Sequence, residues 1–462
     1  MGTNLASVIE GLCSLKEKEP PEKNTISSYL PYRNKGADFD FDYVTGALVS
    51  VFNGVEISKK FDLGDFKTHC LEAIEDKAGS STMTHCIDEI YFANDSENLK
   101  KFSPLFKILC TCKDRKEISP GSRHLEQILS QFIDPVNNRD AAVPNSNIFE
   151  KIIVEKFFNE LKQPKGISMA EEAEPYLPFI TNLFAKDFGF LSIRPTYFVD
   201  QAKSFLEIYT FLYCSQVALN IKDWHMGEPV VKPLYFILDT EKCSTERKAA
   251  GSYRDLLRSV GDIFPLLAML EVLNQNIKKA GNAPLPIWKI FESLNDAETE
   301  EAQAVCEAID SYTERFIAAE KPGRNLKPRD PASCIEGKLK LLFQYAIDQF
   351  DPQRQNEKDT KHEMIGKYKV PFDKEVALHF AQARGRLGKI LVINQDYLLL
   401  LTNLAIGDRE SVRLQELLSE FAKRGVYFDK QSELKLITFF ERIGNIERMS
   451  DSGDAVYVRP TV

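Results

Sequence analysis

The stretch PLYFILDTEK (233–242) sets an apolar, strand-like run against Asp239, Glu241 and Lys242. Strand-end carboxylates followed by a lysine are how many metal-dependent nucleases hold magnesium and act on a phosphodiester. Here Glu241 and Lys242 are adjacent, so on a strand the acid and the base point to opposite faces and do not share one metal site. Asp239 and Glu241 are therefore expected to be turn residues at a strand end. In the loop that follows, STERKAAG, Arg247 and Lys248 are suited to binding either a partner or a phosphate.

A second group of reactive side chains lies in the first third of the chain: His69 and Cys70, His85 and Cys86, Cys110 and Cys112, and His124. Thiolate and imidazole are zinc ligands. No cysteine pair shows the two-to-four-residue gap of a zinc knuckle, and Cys70 and Cys86 stand in apolar contexts, where a free cysteine is a small buried hydrophobe. No metal and no cofactor is expected. The chain contains no nucleophile elbow, no HExxH and no dinucleotide-binding fingerprint, and its histidines are scattered.

Basic residues offer a third kind of chemistry. ARGRLGKI places Arg384, Arg386 and Lys389 beside two glycines, a candidate for phosphate contact on a flexible backbone, although a solvated turn would look the same. It is no NTPase phosphate loop, because the glycines are too close and Ile390 stands where Ser or Thr would bind magnesium. Further on, KQSELKLITFFERIG reads as a helix with Leu436, Ile437, Phe439, Phe440 and Ile443 inward. Gln431, Lys435, Thr438 and Arg442 fall on its opposite face, interrupted by Glu433 and Glu441. Lys430, Lys435, Arg442 and Arg448 complete the candidate nucleic-acid-binding set.

The elements that would carry these residues form a mainly α (α+β) chain. A mixed α+β N-terminal region (1–145) precedes a helical middle domain (146–350), a linker (351–371) and a C-terminal winged-helix-like domain (372–462). In the N-terminal region, FDFDYVTGALVSVFNGVEI (39–57) alternates aromatics with turn-forming glycines and predicts strands, whereas DFKTHCLEAIEDKAG (65–79) predicts a helix ending at a glycine. Apolar residues at spacings of three and four predict helices over 147–162, 198–221, 262–281 and 298–319. KPGRNLKPRDPAS (321–333) and DPQRQNEKDTKHEMIGKYKVP (351–371) read as loops, with a helix over 337–350 between them.

In the C-terminal region, DYLLLLTNLAI (396–406) is apolar nearly all round and predicts a covered hub helix ended by Gly407. Asp408 is expected to cap a second helix that stops at Gly425, and Asp429 a third. NIERMSDSGDAVYVRPTV then predicts a hairpin with Gly453 at its tip. Three helices followed by a hairpin match the winged variant of the helix-turn-helix. Asp451 and Asp454 at the tip would repel a DNA backbone, leaving Arg448 and Arg459 as the nearby basic groups, so docking of protein competes with reading of bases.

The formal net charge of −9 excludes a protein coated all round by nucleic acid. Residues 373–462 carry 13 basic and 13 acidic side chains, so the excess negative charge lies upstream and any DNA contact must be local. Nine cysteines without disulfide-scaffold density, and a first segment lacking a basic-then-apolar signal, lead to the expectation of a cytoplasmic protein.

The C-terminal stretch from GRLGKILVINQDYLLLLTNLAIGDRES through LQELLSEFAKRGVYFDKQSELKLITFFERIGNIERMSDSGDAVYV, with YTFLYCSQVALNI and KPLYFILDTEKCSTERK, resembles the DptG (DndG) family of DNA phosphorothioation-dependent restriction proteins. The resemblance covers about the C-terminal two thirds, with SDSGDA followed by YV as its most recognisable piece; the N-terminal third matches mainly through SYLPYRNKG. It implies a place in a bacterial defence module whose partner enzymes replace a non-bridging phosphate oxygen of self DNA by sulfur, while a restriction complex damages unmarked DNA. It also implies two partners, an ATPase and a helicase-like ATPase, and no assigned catalytic residue. The expectation is a non-catalytic accessory subunit bridging those partners and DNA. The alternatives are a divergent metal-dependent nuclease using Asp239 and Glu241, or a free-standing transcriptional regulator.

Overall fold

The computed structural model describes residues 5–21, 29–33, 37–93, 97–114, 116–135, 147–163, 174–279, 283–319, 326–351, 362–448 and 456–462. The architecture is mainly helical with a few short strands. The N-terminal region contains α1 (Leu5–Cys13), α2 (Phe41–Asn53), β1 (Glu56–Ile57), α3 (Leu63–Ala78), α4 (Ser81–Ile87), α5 (Glu97–Phe102) and α6 (Pro120–Ser130). The middle contains α7 (Ile148–Glu160), β2 (Leu161–Lys162), α8 (Pro178–Ser192), α9 (Pro195–Asn220), β3 (Leu234–Leu238), α10 (Ala249–Lys279), α11 (Ile287–Ser293), α12 (Thr299–Ala318) and α13 (Ile335–Asp348). The last part contains α14 (Glu363–Pro371), β4 (Ala381–Ala383), β5 (Lys389–Ile393), α15 (Gln395–Ile406), β6 (Val412–Arg413), α16 (Leu414–Lys423), β7 (Val426–Phe428), α17 (Lys430–Arg442), β8 (Ile446–Arg448) and β9 (Val456–Val458).

The helices predicted from periodicity are present. The strands predicted over 39–57 are not: all but Glu56–Ile57 form α2 or its flanks. The alternating aromatics imitate a strand, but Asp40 caps the helix by accepting from the Tyr43 amide at 3.0 Å, and Gly54 closes it at φ 61°. The internal glycine serves packing. A Cβ on Gly46 would stand 2.3 Å from the Lys107 carbonyl oxygen, so only glycine lets α2 lie this close to the 3-10 helical segment Pro104–Cys112.

Two further expectations are corrected. The second C-terminal helix begins at Leu414, not after Asp408, and Arg413 occupies its N-cap without a side-chain bond. Asp408 instead accepts from Arg194 at 2.7 Å, an ion pair that replaces capping. Within 351–371, read as a loop, residues from Glu363 onward form α14, because Tyr368 stacks on Phe264 of α10 with ring centroids 4.5 Å apart.

A four-stranded sheet has the order β4-β5-β3-β7, in which β3 lies parallel to both β5 and β7. It joins a strand of the middle region to strands far downstream. Its two inner strands are covered on both sides, as parallel strands usually are. Leu234, Phe236, Leu238, Leu391 and Ile393 enter the main core, while Ile237, Ile390 and Val392 enter a small second core with Ala249 at the start of α10. The alternation follows from the two-residue period of a strand.

The last part also forms a second sheet, order β6-β9-β8, antiparallel throughout, beside α16 and α17. In α15 Leu398, Leu400, Leu401 and Leu404 are each 1% exposed, and burial of such side chains contributes about 1.5–3 kcal/mol each. The predicted hairpin strands are β8 and β9. Its tip, with Asp451, Gly453 and Asp454, lies outside the described residues.

Candidate partner and nucleic-acid interface

The carboxyl ends of β3, β5 and β7 emerge side by side, and the next residues are Asp239, Asn394 and Asp429. Such an edge is where open parallel sheets commonly place ligands. Here most of its polar groups are used by the fold. Asn394 and Asp429 accept amides at the starts of α15 and α17, from Tyr397 and Ser432.

Glu241 is 7% exposed. Its Oε2 accepts from Arg247 at 2.9 Å, and Oε1 accepts from the Leu238 amide and the Ser432 hydroxyl, each at 2.9 Å. Arg247 then grips Asp429 bidentately, Nε to Oδ2 at 2.9 Å and Nη2 to Oδ1 at 2.7 Å. Nη2 also donates to Ser432 Oγ at 2.7 Å. Burial raises the Asp429 pKa, but the Arg247 and Ser432 hydrogen bonds outweigh it and hold the carboxyl below its ordinary value. Arg247, a candidate for phosphate or partner contact, is thus an internal strut. Lys248 points outward, donating to Tyr235 Oη at 3.3 Å.

Asp239 stands apart from Glu241. Its amide donates to the Ile393 carbonyl, and its carboxylate is half-buried with no hydrogen-bond partner among the described residues. Arg384 approaches from the neighbouring loop and donates to the Asp239 carbonyl oxygen at 2.7 Å, not to the carboxylate. Among the described residues no group of three or more His, Cys, Asp or Glu is arranged to hold a metal ion, including the His and Cys residues of the N-terminal region.

The loop that carries Arg384 turns on Gly385 and Gly388, whose φ values are 57° and 71°. Its three basic residues have different surroundings. Arg384 is half-buried against β3, Lys389 pairs with Asp373 at 2.7 Å, and Arg386 is exposed.

α17 presents a broader surface. Leu436, Phe439 and Phe440 face the core, whereas Gln431, Leu434, Lys435, Thr438 and Arg442 are exposed, Leu434 at 66%. Lys430 pairs with Glu433 at 2.7 Å yet remains 86% exposed. Lys435 has no ion pair among the described residues, and the Arg442 guanidinium lies 6.0 Å from the Phe439 ring centre. Arg448 lies in β8, opposite Val456, but its side chain is outside the described residues. Arg459 is tied across the hairpin to Glu447 at 2.6 Å.

Behind this surface, a second buried arginine fixes the last part to the helical body. Arg424, just after α16, and Asp187 of α8 are both fully enclosed and paired through two bonds of 2.9 and 2.6 Å. The Tyr209 hydroxyl of α9 donates to the same carboxylate. The signal for this seam was present in the sequence as a lone Asp in the apolar run LFAKDFGFL, since a carboxylate on a buried face requires a partner.

No family model matches the chain, and no curated protein matches it.

Proposed function

We propose that this chain is a non-catalytic accessory subunit of a phosphorothioation-dependent DNA restriction complex in the bacterial cytoplasm, presenting a winged-helix-like terminal unit to an ATPase or helicase-like partner. The family resemblance of the C-terminal motifs supplies the identity of the complex. The observation that carries the role is the contrast within α17: its inner end is tied into the sheet edge by Arg247, while its outer face leaves Leu434, Lys435 and Arg442 uncovered.

The element order α15-β6-α16-α17-β8-β9, with β9 between β6 and β8, supports the winged-helix-like reading, in which α17 takes the recognition position. The insertion of β7 beside β3 is a departure that anchors this unit to the body. An exposed leucine amid basic residues favours a protein partner over a phosphate backbone, because a side chain of this kind gains by leaving water and offers nothing to an anion. DNA is then reached through the complex, with Arg386, Lys435 and Arg442 as the local basic contacts.

The test is co-purification of the tagged chain with the other restriction subunits, together with incubation of the pure chain with unmodified DNA and magnesium or manganese. The proposal requires partner retention and no cleavage. Cleavage abolished by Asp239→Ala would replace it with the nuclease alternative.

A further inference from the structure

A polar cleft of about 650 Å³ opens between residues 38–42, α9 and the turn Phe372–Val376 with the residues after it. This volume lies in the range of small-ligand sites. Glu207 is its most enclosed charge, 9% exposed in the middle of the apolar run SFLEIYTFLY. One carboxylate oxygen accepts from the Tyr397 hydroxyl, while the other lies 3.5 Å from His379 Nε2. Thr210, three residues along α9, shares this face.

Thr210 differs from other buried threonines of the chain. Thr45, Thr313 and Thr402 each donate to the carbonyl four residues back at 2.7 Å, the usual way a helical threonine satisfies its hydroxyl. Thr210, a residue 1% exposed, is among those that line the cleft, and its buried hydroxyl has no hydrogen-bond partner among the described residues. A buried hydroxyl without a partner is costly, which points to a group that arrives from outside.

The cleft's other charges define that group. Asp40 and Asp42 are paired with Lys113 and Lys107, and Glu375 accepts from the Ala37 and Asp38 amides. Those amide bonds hold Asp38 at φ 37°, and its exposed carboxylate has no hydrogen-bond partner among the described residues. Lys203 and Lys374 are exposed, whereas the enclosed charge is Glu207. The enclosed part of the cleft is therefore a carboxylate with hydrogen-bonding groups, Tyr397 and His379 beside it, and the lysines stand at the rim.

We infer that this cleft binds an organic cation, an alkylammonium or guanidinium group, with Glu207 as its anionic acceptor, Thr210 as a second hydrogen-bond partner and Asp38 at the entrance. The cation belongs either to a free amine or to an Arg side chain of a partner. The site is separate from α17, and the inference does not depend on the proposed function.

Calorimetric titration of the full chain with agmatine, and with the blocked tripeptide acetyl-Gly-Arg-Gly-amide, tests it. At least one probe binds the wild type. Glu207→Gln, which keeps an oxygen for Tyr397, weakens that binding about tenfold or more, the size of one charge-assisted hydrogen bond. Thr210→Val and Asp38→Asn weaken it by smaller factors without lowering the melting temperature. Preference for agmatine identifies a free amine, and preference for the peptide a partner's side chain; both support the inference. Failure of both probes to bind at millimolar concentration, or unchanged affinity in Glu207→Gln and Thr210→Val, overturns it.

Discussion

The inner and outer sides of the C-terminal unit use charge in opposite ways. Inside, Arg247 and Arg424 each hold a carboxylate bidentately within a shell of further hydrogen bonds. Outside, Lys435 and Arg386 are exposed to solvent. A charged motif takes its chemistry from where the fold places it. The acidic strand end resembling a nuclease ligand set has Glu241 as part of a packed joint, whereas the surface on α17 mixes basic and apolar side chains. The buried pairs align the unit with the body; the exposed side chains are available to another molecule.

The largest expected effect is at Arg424. Arg424→Met leaves Asp187 enclosed without its partner and should cost about 3–5 kcal/mol in denaturant unfolding. Adding Asp187→Leu should restore much of that stability, since the uncompensated charge is then gone. A cost for Arg424→Met within the scatter of surface substitutions would remove the distinction between the two sides.

Arg247→Lys should cost about 2 kcal/mol, because an ammonium cannot reproduce the planar fork that spans Glu241, Asp429 and Ser432. Acid tests the same joint. The Asp429 carboxyl titrates below its ordinary value of 3.8 in the folded chain, so its stabilising contribution is complete above that value and fades as pH falls through the lower folded value. Unfolding midpoints measured from pH 6 to pH 3 should therefore fall, and Asp429→Asn should flatten the part of the slope due to this residue.

The smallest effect on stability is expected on α17. Lys435→Glu combined with Arg442→Glu should change folding free energy by about 0.5 kcal/mol or less, as surface substitutions do. If these residues also meet phosphates, the logarithmic salt slope of DNA binding by the complex should fall by about one for each phosphate no longer neutralised. Failure to retain a partner, with an unchanged slope, would sharpen the account to protein docking alone.

Much of the helical framework was legible because apolar spacing and caps act locally. Asp429 and Gly407 mark helix ends in sequence as they do in space. Residues 41–53 were misleading because Phe39, Phe41 and Tyr43 alternate as in a strand, while the close packing that makes them helical lies over Lys107. The four-stranded sheet was not legible, since β3 finds its neighbours across an intervening helical body and pairing at that separation leaves no local pattern. The candidate basic residues were visible, but their separation into committed and uncommitted groups required coordinates. Asp373 takes Lys389, and the Asp239 carbonyl takes Arg384. Glu207 and Asp187 each stand as the lone carboxylate of an apolar run, SFLEIYTFLY and LFAKDFGFL, which signals a need for partners without indicating which.

The most direct measurement is retention of the proposed ATPase partners by the tagged chain, compared with a Lys435→Glu/Arg442→Glu/Arg386→Glu variant of matched melting temperature. The account predicts that the wild type retains a partner and the variant does not. Equal retention by both, or no partner retained by the wild type, would contradict it.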